Sequence, residues 1–113
     1  MSTTATHLPE VTDDTFGEEV LHSDVPVLVD FTADWCPPCR MVAPVLARIA
    51  AEREGLVKVV SLDVDRNPAT QAAYGVLSMP TLILFRDGEP ARSVVGARPE
   101  RHLVEALGLD ELR

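Results

Sequence analysis

Apolar and polar positions along the chain alternate between two rhythms. Val25–Thr32 (VPVLVDFT) is an almost continuous apolar run, the pattern of a strand covered on both faces. It is followed from Cys36 to about Glu52 by apolar residues at Val42, Val45, Leu46 and Ile49. Those positions lie at i, i+3, i+4 and i+7, on one face of a helix. Pro44 falls inside this helix and removes a bond to the Arg40 carbonyl, which predicts a kink rather than a break. Leu56–Val64 reads as a second buried strand. Asn67-Pro68 pairs an N-cap type with a favourable first helical residue, predicting a short helix to about Tyr74 with Gly75 past its end. Thr81–Phe85 and Ala91–Val95 flank the turn signal Asp87-Gly88 and read as a hairpin. Pro99–Leu107 closes the pattern as an amphipathic helix.

Upstream, Leu8–Val11 is a brief strand candidate. Thr15 with Glu18 reads as a capping box opening a first helix through about Leu21. The resulting order, βαβαβαββα, describes an α/β sandwich whose central mixed sheet is mostly parallel, with an antiparallel hairpin at one edge. Residues 1–7 read as a disordered polar tail and residues 8–113 as one domain.

Composition narrows the function classes. The 113 residues are 46% apolar and 25% charged, with a net charge of −8 and scattered Lys and Arg, so nucleic acid is excluded as an expected partner. No apolar run approaches the roughly 20 residues that span a bilayer, and the start lacks the pattern of a secretory signal. No membrane association is expected, and the expected compartment is a reducing cytoplasm.

The candidate chemistry is the pair Cys36 and Cys39, the only cysteines, on the first turn of the helix that follows the buried strand. There, unpaired backbone N–H groups and the positive end of the helix dipole stabilise a thiolate, the attacking species in disulfide exchange. Cys39, one turn deeper and less exposed, is placed to resolve a mixed disulfide formed by Cys36. Three other readings compete. A structural disulfide closing so short a loop gains only about 2 kcal/mol and would be reduced in the cytosol. A metal site needs four ligands, and His7, His22 and His102 stand singly, so no metal is expected. Two inert buried thiols sit awkwardly beside Trp35 and two prolines. Asp30, a charge inside Val-Leu-Val-Asp-Phe, reads equally as a buried acid of raised pKa or as a strand-end residue facing water.

From Val29 to Pro44 (VDFTADWCPPCRMVAP) the chain resembles the thioredoxin family. The resemblance continues through Asp63-Val64-Asp65, Tyr74-Gly75-Val76, Met79-Pro80-Thr81-Leu82, Phe85-Arg86-Asp87-Gly88 and Val95-Gly96-Ala97. It implies the thioredoxin fold and a protein-disulfide reductase cycling a Cys36–Cys39 dithiol, with Cys36 as exposed nucleophile and Cys39 as buried resolving cysteine. It implies that Asp30 is the buried acid serving Cys39 and that Met79-Pro80 is a cis bond presenting a backbone edge to substrate. Gly96 matches the glycine at the rim of the substrate groove, where residues alone suggest a strand-end turn. Trp35, Pro37, Pro38, Met79, Pro80 and Ala97 are then expected to form an apolar, nearly uncharged contact patch. The implied partners are disulfide-containing client proteins and a thioredoxin reductase. No bound cofactor is expected, and the expected state is a monomer. The rival class is a non-catalytic binding module using the same patch. It needs neither the cysteine pair nor Asp30. The chain departs from the common family pattern in having Pro37-Pro38 where Gly-Pro is usual, Thr32 where an aromatic is frequent, and Ser61 where a lysine is frequent. Pro37 and Pro38 are therefore the expected tuners of the redox pair.

Overall fold

The structure is a computed structural model that describes residues 8–112; the expected tail at residues 1–7 lies outside the described residues. Four strands form one sheet in the order β2-β1-β3-β4, with β1 at Val27–Thr32, β2 at Lys58–Asp63, β3 at Thr81–Arg86 and β4 at Glu89–Val95. Three α-helices, α1 (Pro37–Glu52), α2 (Pro68–Ala73) and α3 (Glu100–Ala106), complete the α/β arrangement. Among the described residues, no helix is long and apolar enough to cross a membrane.

The sheet is mixed, as its crossover pattern predicts, but it is not mostly parallel. β1 runs parallel to β2 and antiparallel to β3, and β3 runs antiparallel to β4. The expectation took the hairpin as the antiparallel part, whereas β3 is also antiparallel to β1. The brief strand candidate Leu8–Val11 is reduced further. That segment makes a single parallel bridge, Glu10 to Ser61, held by Val11 N–H to Ser61 O (2.8 Å) and Ser61 N–H to Pro9 O (2.9 Å). Pro9 has no N–H to extend the ladder.

β1 is buried on both faces, and its side chains alternate between two cores. Leu28 faces Val42, Leu46 and Ile49 of α1 and Leu103 of α3, while Val27, Val29 and Phe31 belong to the core with Phe16, Val60, Leu62 and Phe85. α1 runs unbroken through Pro44. On the opposite face, Phe16, Tyr74 and Phe85 form an aromatic trio with centroids 5.1–5.6 Å apart.

Two helix starts differ from expectation. The first helix is a single π-helical turn, Gly17–Leu21, with His22 N–H bonded to Gly17 O at 2.9 Å. The Thr15–Glu18 capping box is replaced by a reciprocal pair one turn earlier. Thr12 N–H donates to Thr15 Oγ1 (2.8 Å) and Thr15 N–H to Thr12 Oγ1 (3.2 Å). At α2, Asn67 makes no side-chain cap, because its amide is used elsewhere. Its Oδ1 accepts from Asp13 N–H (2.8 Å) and its Nδ2 donates to Asp63 O (2.9 Å). The cap comes instead from Asp13, whose carboxylate accepts from Ala69 N–H (3.2 Å), Thr70 N–H (2.9 Å) and the Thr70 hydroxyl (2.7 Å). An acid at a helix start also faces the positive end of the dipole. The Thr70 hydroxyl above all, then the two backbone N–H groups, hold the Asp13 carboxyl below its ordinary value against an opposing desolvation.

A depressed carboxyl pKa contributes stability that is present above the unfolded value and lost as pH falls through the folded one. Asp13→Ala is therefore expected to lower the urea midpoint at pH 7, with the gap from wild type narrowing as the pH drops below the ordinary Asp range of about 4. A gap that is constant with pH would remove the capping carboxylate from the account.

Candidate active site

Cys36 and Cys39 stand at the junction of β1 and α1. The backbone of Cys36 is extended (φ −101°, ψ 101°) and forms the N-cap of α1, with Pro37 and Pro38 as its first two residues and Cys39 as its third. The two cysteines are joined by a disulfide, with Cα atoms 5.3 Å apart, an ordinary separation for such a bond. The Cys36 sulfur serves as the capping acceptor, receiving the Cys39 N–H at 3.3 Å. An N-cap acceptor ordinarily draws on the N–H of the second or third helical residue. Here the second residue is Pro38, so only Cys39 can donate.

Cys36 was expected to be exposed and Cys39 less so. In the disulfide form both are buried, at 2% and 3% exposure. The Cys36 sulfur is bonded to Cys39 on one side and lies 3.6 Å from the Met79 carbonyl oxygen on another. The asymmetry between them is therefore of surroundings and not of area. Cys36 faces the Met79-Pro80 segment, and Cys39 lines a cleft of about 240 Å³ with Asp30, Thr32, Ser61, Glu10 and Arg40.

Asp30 is buried at 3% exposure, with Ser61 and Leu82 as its neighbours across the sheet. Its Oδ1 has no hydrogen-bond partner. Burial pushes its carboxyl from 3.8 up to about 7. The strand-end reading of Asp30 is thereby set aside: the side chain lies in the cleft beneath the first turn of α1.

The remaining expected residues gather around the disulfide. Met79-Pro80 is a cis bond. Met79 is partly buried and Pro80 is buried, so Pro80 adds backbone rather than surface to the patch. Gly96 N–H donates to Pro80 O at 2.8 Å, and Gly96 has φ 102°, a conformation that favours glycine. Ala97, Pro37 and Pro38 are exposed. Trp35 is 62% exposed and its indole N–H donates to Asp65 Oδ2 at 2.8 Å. Around Trp35 the surface is not uncharged, since Arg66 pairs with Asp34 and Asp63, and Arg40 donates to the Asp34 carbonyl. Sequence reasoning missed four exposed apolar side chains, Met41, Leu56, Leu77 and Val95. Leu77 sits beside the inward-facing Val76, and neither periodicity nor motif separates the two.

A cysteine pair closed across the first turn of a helix, above a buried acid, defines a thiol–disulfide oxidoreductase on an α/β scaffold. A family model described as thioredoxin matches residues 7–108. The thioredoxin 1 of Nostoc sp. is 54% identical over 98 residues, covering 87% of this chain and 92% of that protein. The thioredoxin of Synechocystis sp. is 52% identical over 99 residues, covering 88% and 92%. That of Mycobacterium tuberculosis is 53% identical over 98 residues, covering 87% and 84%. The chain belongs to the thioredoxin family, and its chemistry is disulfide reduction, with disulfide-bearing client proteins and a reductase as its general classes of partner.

The capping geometry makes the two prolines unequal. Pro38→Ala restores an N–H at the second helical position, where a capping sulfur accepts, whereas Pro37→Ala restores one at the first, where it does not. An added donor stabilises the Cys36 thiolate and hence the reduced form, which raises the midpoint potential. Glutathione redox titration is expected to show Pro38→Ala the more oxidising variant, by about 30 mV or less, and Pro37→Ala closer to wild type. The reverse ranking would sink this account of the dipeptide.

Proposed function

We propose that Cys36 is the nucleophile, Cys39 the resolving thiol and Asp30 the base that serves it, in a reductase cycle acting on protein clients. The observation that carries this reading is the division of surroundings around one disulfide: Cys36 toward the Met79-Pro80 edge, Cys39 toward the Asp30 cleft. In the reduced protein, the Cys36 thiolate attacks a client disulfide. One client sulfur leaves as a thiolate and takes a proton from solvent, while the other stays bonded to Cys36. Asp30 then takes the proton of Cys39, and the Cys39 sulfur attacks Cys36, closing the internal disulfide and expelling the second client thiolate. Two electrons have passed to the client. A flavin-dependent thioredoxin reductase returns them, and sulfur alone carries the electron pair on this chain, so no cofactor is required here.

Trp35, Met79, Gly96 and Ala97 form the client-contacting rim, Pro80 holds its backbone, and Pro37 and Pro38 tune the pair. The chain works as a monomer in a reducing cytoplasm, a setting supported by its having two cysteines only and by its likeness to bacterial thioredoxins.

The test is reduction of insulin disulfides with dithiothreitol as recharging agent. Cys39→Ser is expected to accumulate a mixed disulfide through Cys36, and Cys36→Ser to form none. Trapping through Cys39 instead would reverse the assignment of roles.

Asp30 gives a second expectation. For a carboxyl whose folded pKa is raised to about 7, the associated stability is fully present below the unfolded value near 4 and is lost as pH rises through about 7. At alkaline pH that loss is on the order of 4 kcal/mol. Asp30→Asn is expected to be a few kcal/mol more stable than wild type at pH 8 and no more stable at pH 4, while its resolution step is slowed and no longer accelerates between pH 6 and 8. An unaltered pH–rate profile in stopped-flow release of client thiol would leave Asp30 without a role in proton transfer.

A further inference from the structure

The client rim described above has a neighbour that the dithiol chemistry does not use. Leu77 is 92% exposed, the most exposed large apolar side chain among the described residues, and it is presented from a fixed backbone. On one side, Val76 N–H bonds to Gln71 O (3.1 Å) while Gln71 Nε2 donates back to Val76 O (3.2 Å). On the other, Ser78 O accepts the Thr81 hydroxyl at 2.6 Å. Gly75, at φ 63°, supplies the turn that sends Val76 inward and leaves Leu77 outward.

Behind Leu77 lies a groove of about 360 Å³ lined by Tyr74, Val76, Ile83 and the half-exposed Val95, with no charged residue on its walls. Tyr74 is braced by Phe16 and Phe85, so one wall is locked into the core. The groove reaches Ser78, the chain neighbour of Met79, whose carbonyl oxygen lies 3.6 Å from the Cys36 sulfur. Leu77 is two residues from Met79, at most about 7 Å along the chain. The Trp35 edge of the same rim carries charges, whereas this edge carries none, on a protein of net charge −8.

We infer that Leu77 and the groove behind it form a selectivity subsite, which seats an apolar side chain of a client segment about two residues from its reactive cysteine. This rests on the reductase reading and extends it. Two residues of extended chain span about 7 Å, which matches the step from Met79 to Leu77. An acidic client residue at that position finds no opposite charge on the groove walls, only the hydroxyl-bearing Tyr74, Ser78, Thr81 and Ser93 among apolar residues, and gives up more solvation than they return. An aliphatic or aromatic one covers Leu77 and Val95 and removes its own apolar surface from water. The occupant is thus an apolar side chain of a disulfide-bearing protein segment.

The test uses two octapeptides, each holding one cysteine as a mixed disulfide with glutathione and differing only in Leu or Ser two residues from that cysteine. Both flanks of the cysteine are sampled in separate pairs. The readout is the ratio of kcat/KM for the Leu peptide over the Ser peptide. Wild type is expected to favour Leu on at least one flank. Leu77→Ser is expected to cut that ratio about tenfold, equivalent to about 1.4 kcal/mol, and Leu77→Met to restore most of it. A ratio that Leu77→Ser leaves within twofold of wild type overturns the subsite, as does an equal loss on both peptides. Failure of the wild-type protein to reduce either peptide, or insulin, would instead overturn the reductase reading and this subsite with it.

Discussion

Strand β1 is hemmed in on every side, by β2 and β3 along its edges and by a separate core on each face, and the rest of the molecule is arranged around that enclosure. Val27, Leu28, Val29 and Phe31 are fully buried. Four such side chains supply on the order of 6–12 kcal/mol of hydrophobic stabilisation, as an upper estimate. This magnitude decides why a carboxylic acid can stand among them. Keeping Asp30 in so buried a site costs on the order of 4 kcal/mol once it is ionised, and less when it holds its proton. The strand carries the acid because its neighbours over-determine it.

The same strand aims the helix that carries the sulfurs. α1 is pinned to β1 through Val42, Leu46 and Ile49, so its first turn has no freedom to move away from the strand end. At that turn the fold needs an acceptor for an orphan N–H, the usual task of a Ser, Thr or Asp side chain. Cysteine takes the task here. A thiolate accepts the Cys39 N–H at least as well as a disulfide sulfur does, since charge strengthens the bond. Folding and nucleophile activation thus draw on one hydrogen bond, and the two prolines leave no other donor in the turn to share it.

Much of this was legible in the residues. The strand–helix rhythm located β1, α1, β2 and the hairpin to within a few positions, because each is long enough for its period to show. The cysteine pair and Met79-Pro80 were carried by motif. What escaped was non-local. Nothing near Pro68 says that Asp13, far away in sequence, replaces Asn67 as the cap of α2, since the choice depends on where the loop before the π turn docks. The fraction of parallel pairing was overcounted because β3 runs antiparallel to β1, where a helix between two apolar strands suggested a parallel crossover. Asp30 was half legible: its apolar context suggested burial, but its unpartnered oxygen and its cleft shared with Cys39 are tertiary facts. Leu77 was illegible because it lies between the predicted elements, beside the buried Val76, where no period assigns it a face.

The cleft between Asp30 and solvent explains how a base can be buried and still turn over. In the proposed cycle the acid receives a proton from Cys39 and must lose it before the next round. A sealed apolar site would raise its pKa further and trap the proton, whereas a fully open one would return the pKa to the ordinary range and make the base too weak. The cleft lies between these limits. Its walls include the Thr32 and Ser61 side chains and the exposed Glu10 carboxylate, and about 240 Å³ is room for several solvent molecules at roughly 30 Å³ each. The row Glu10–Ser61–Asp30 crosses three adjacent backbone segments in register, so polar groups line the way out at strand spacing, about 5 Å per step. Serine stands at position 61 in place of the family's frequent lysine, and the guanidinium of Arg40, the cation lining the cleft, is held on the Asp34 carbonyl at 2.7 Å. Burial alone sets the value near neutrality, where a base exchanging protons with a thiol is most effective.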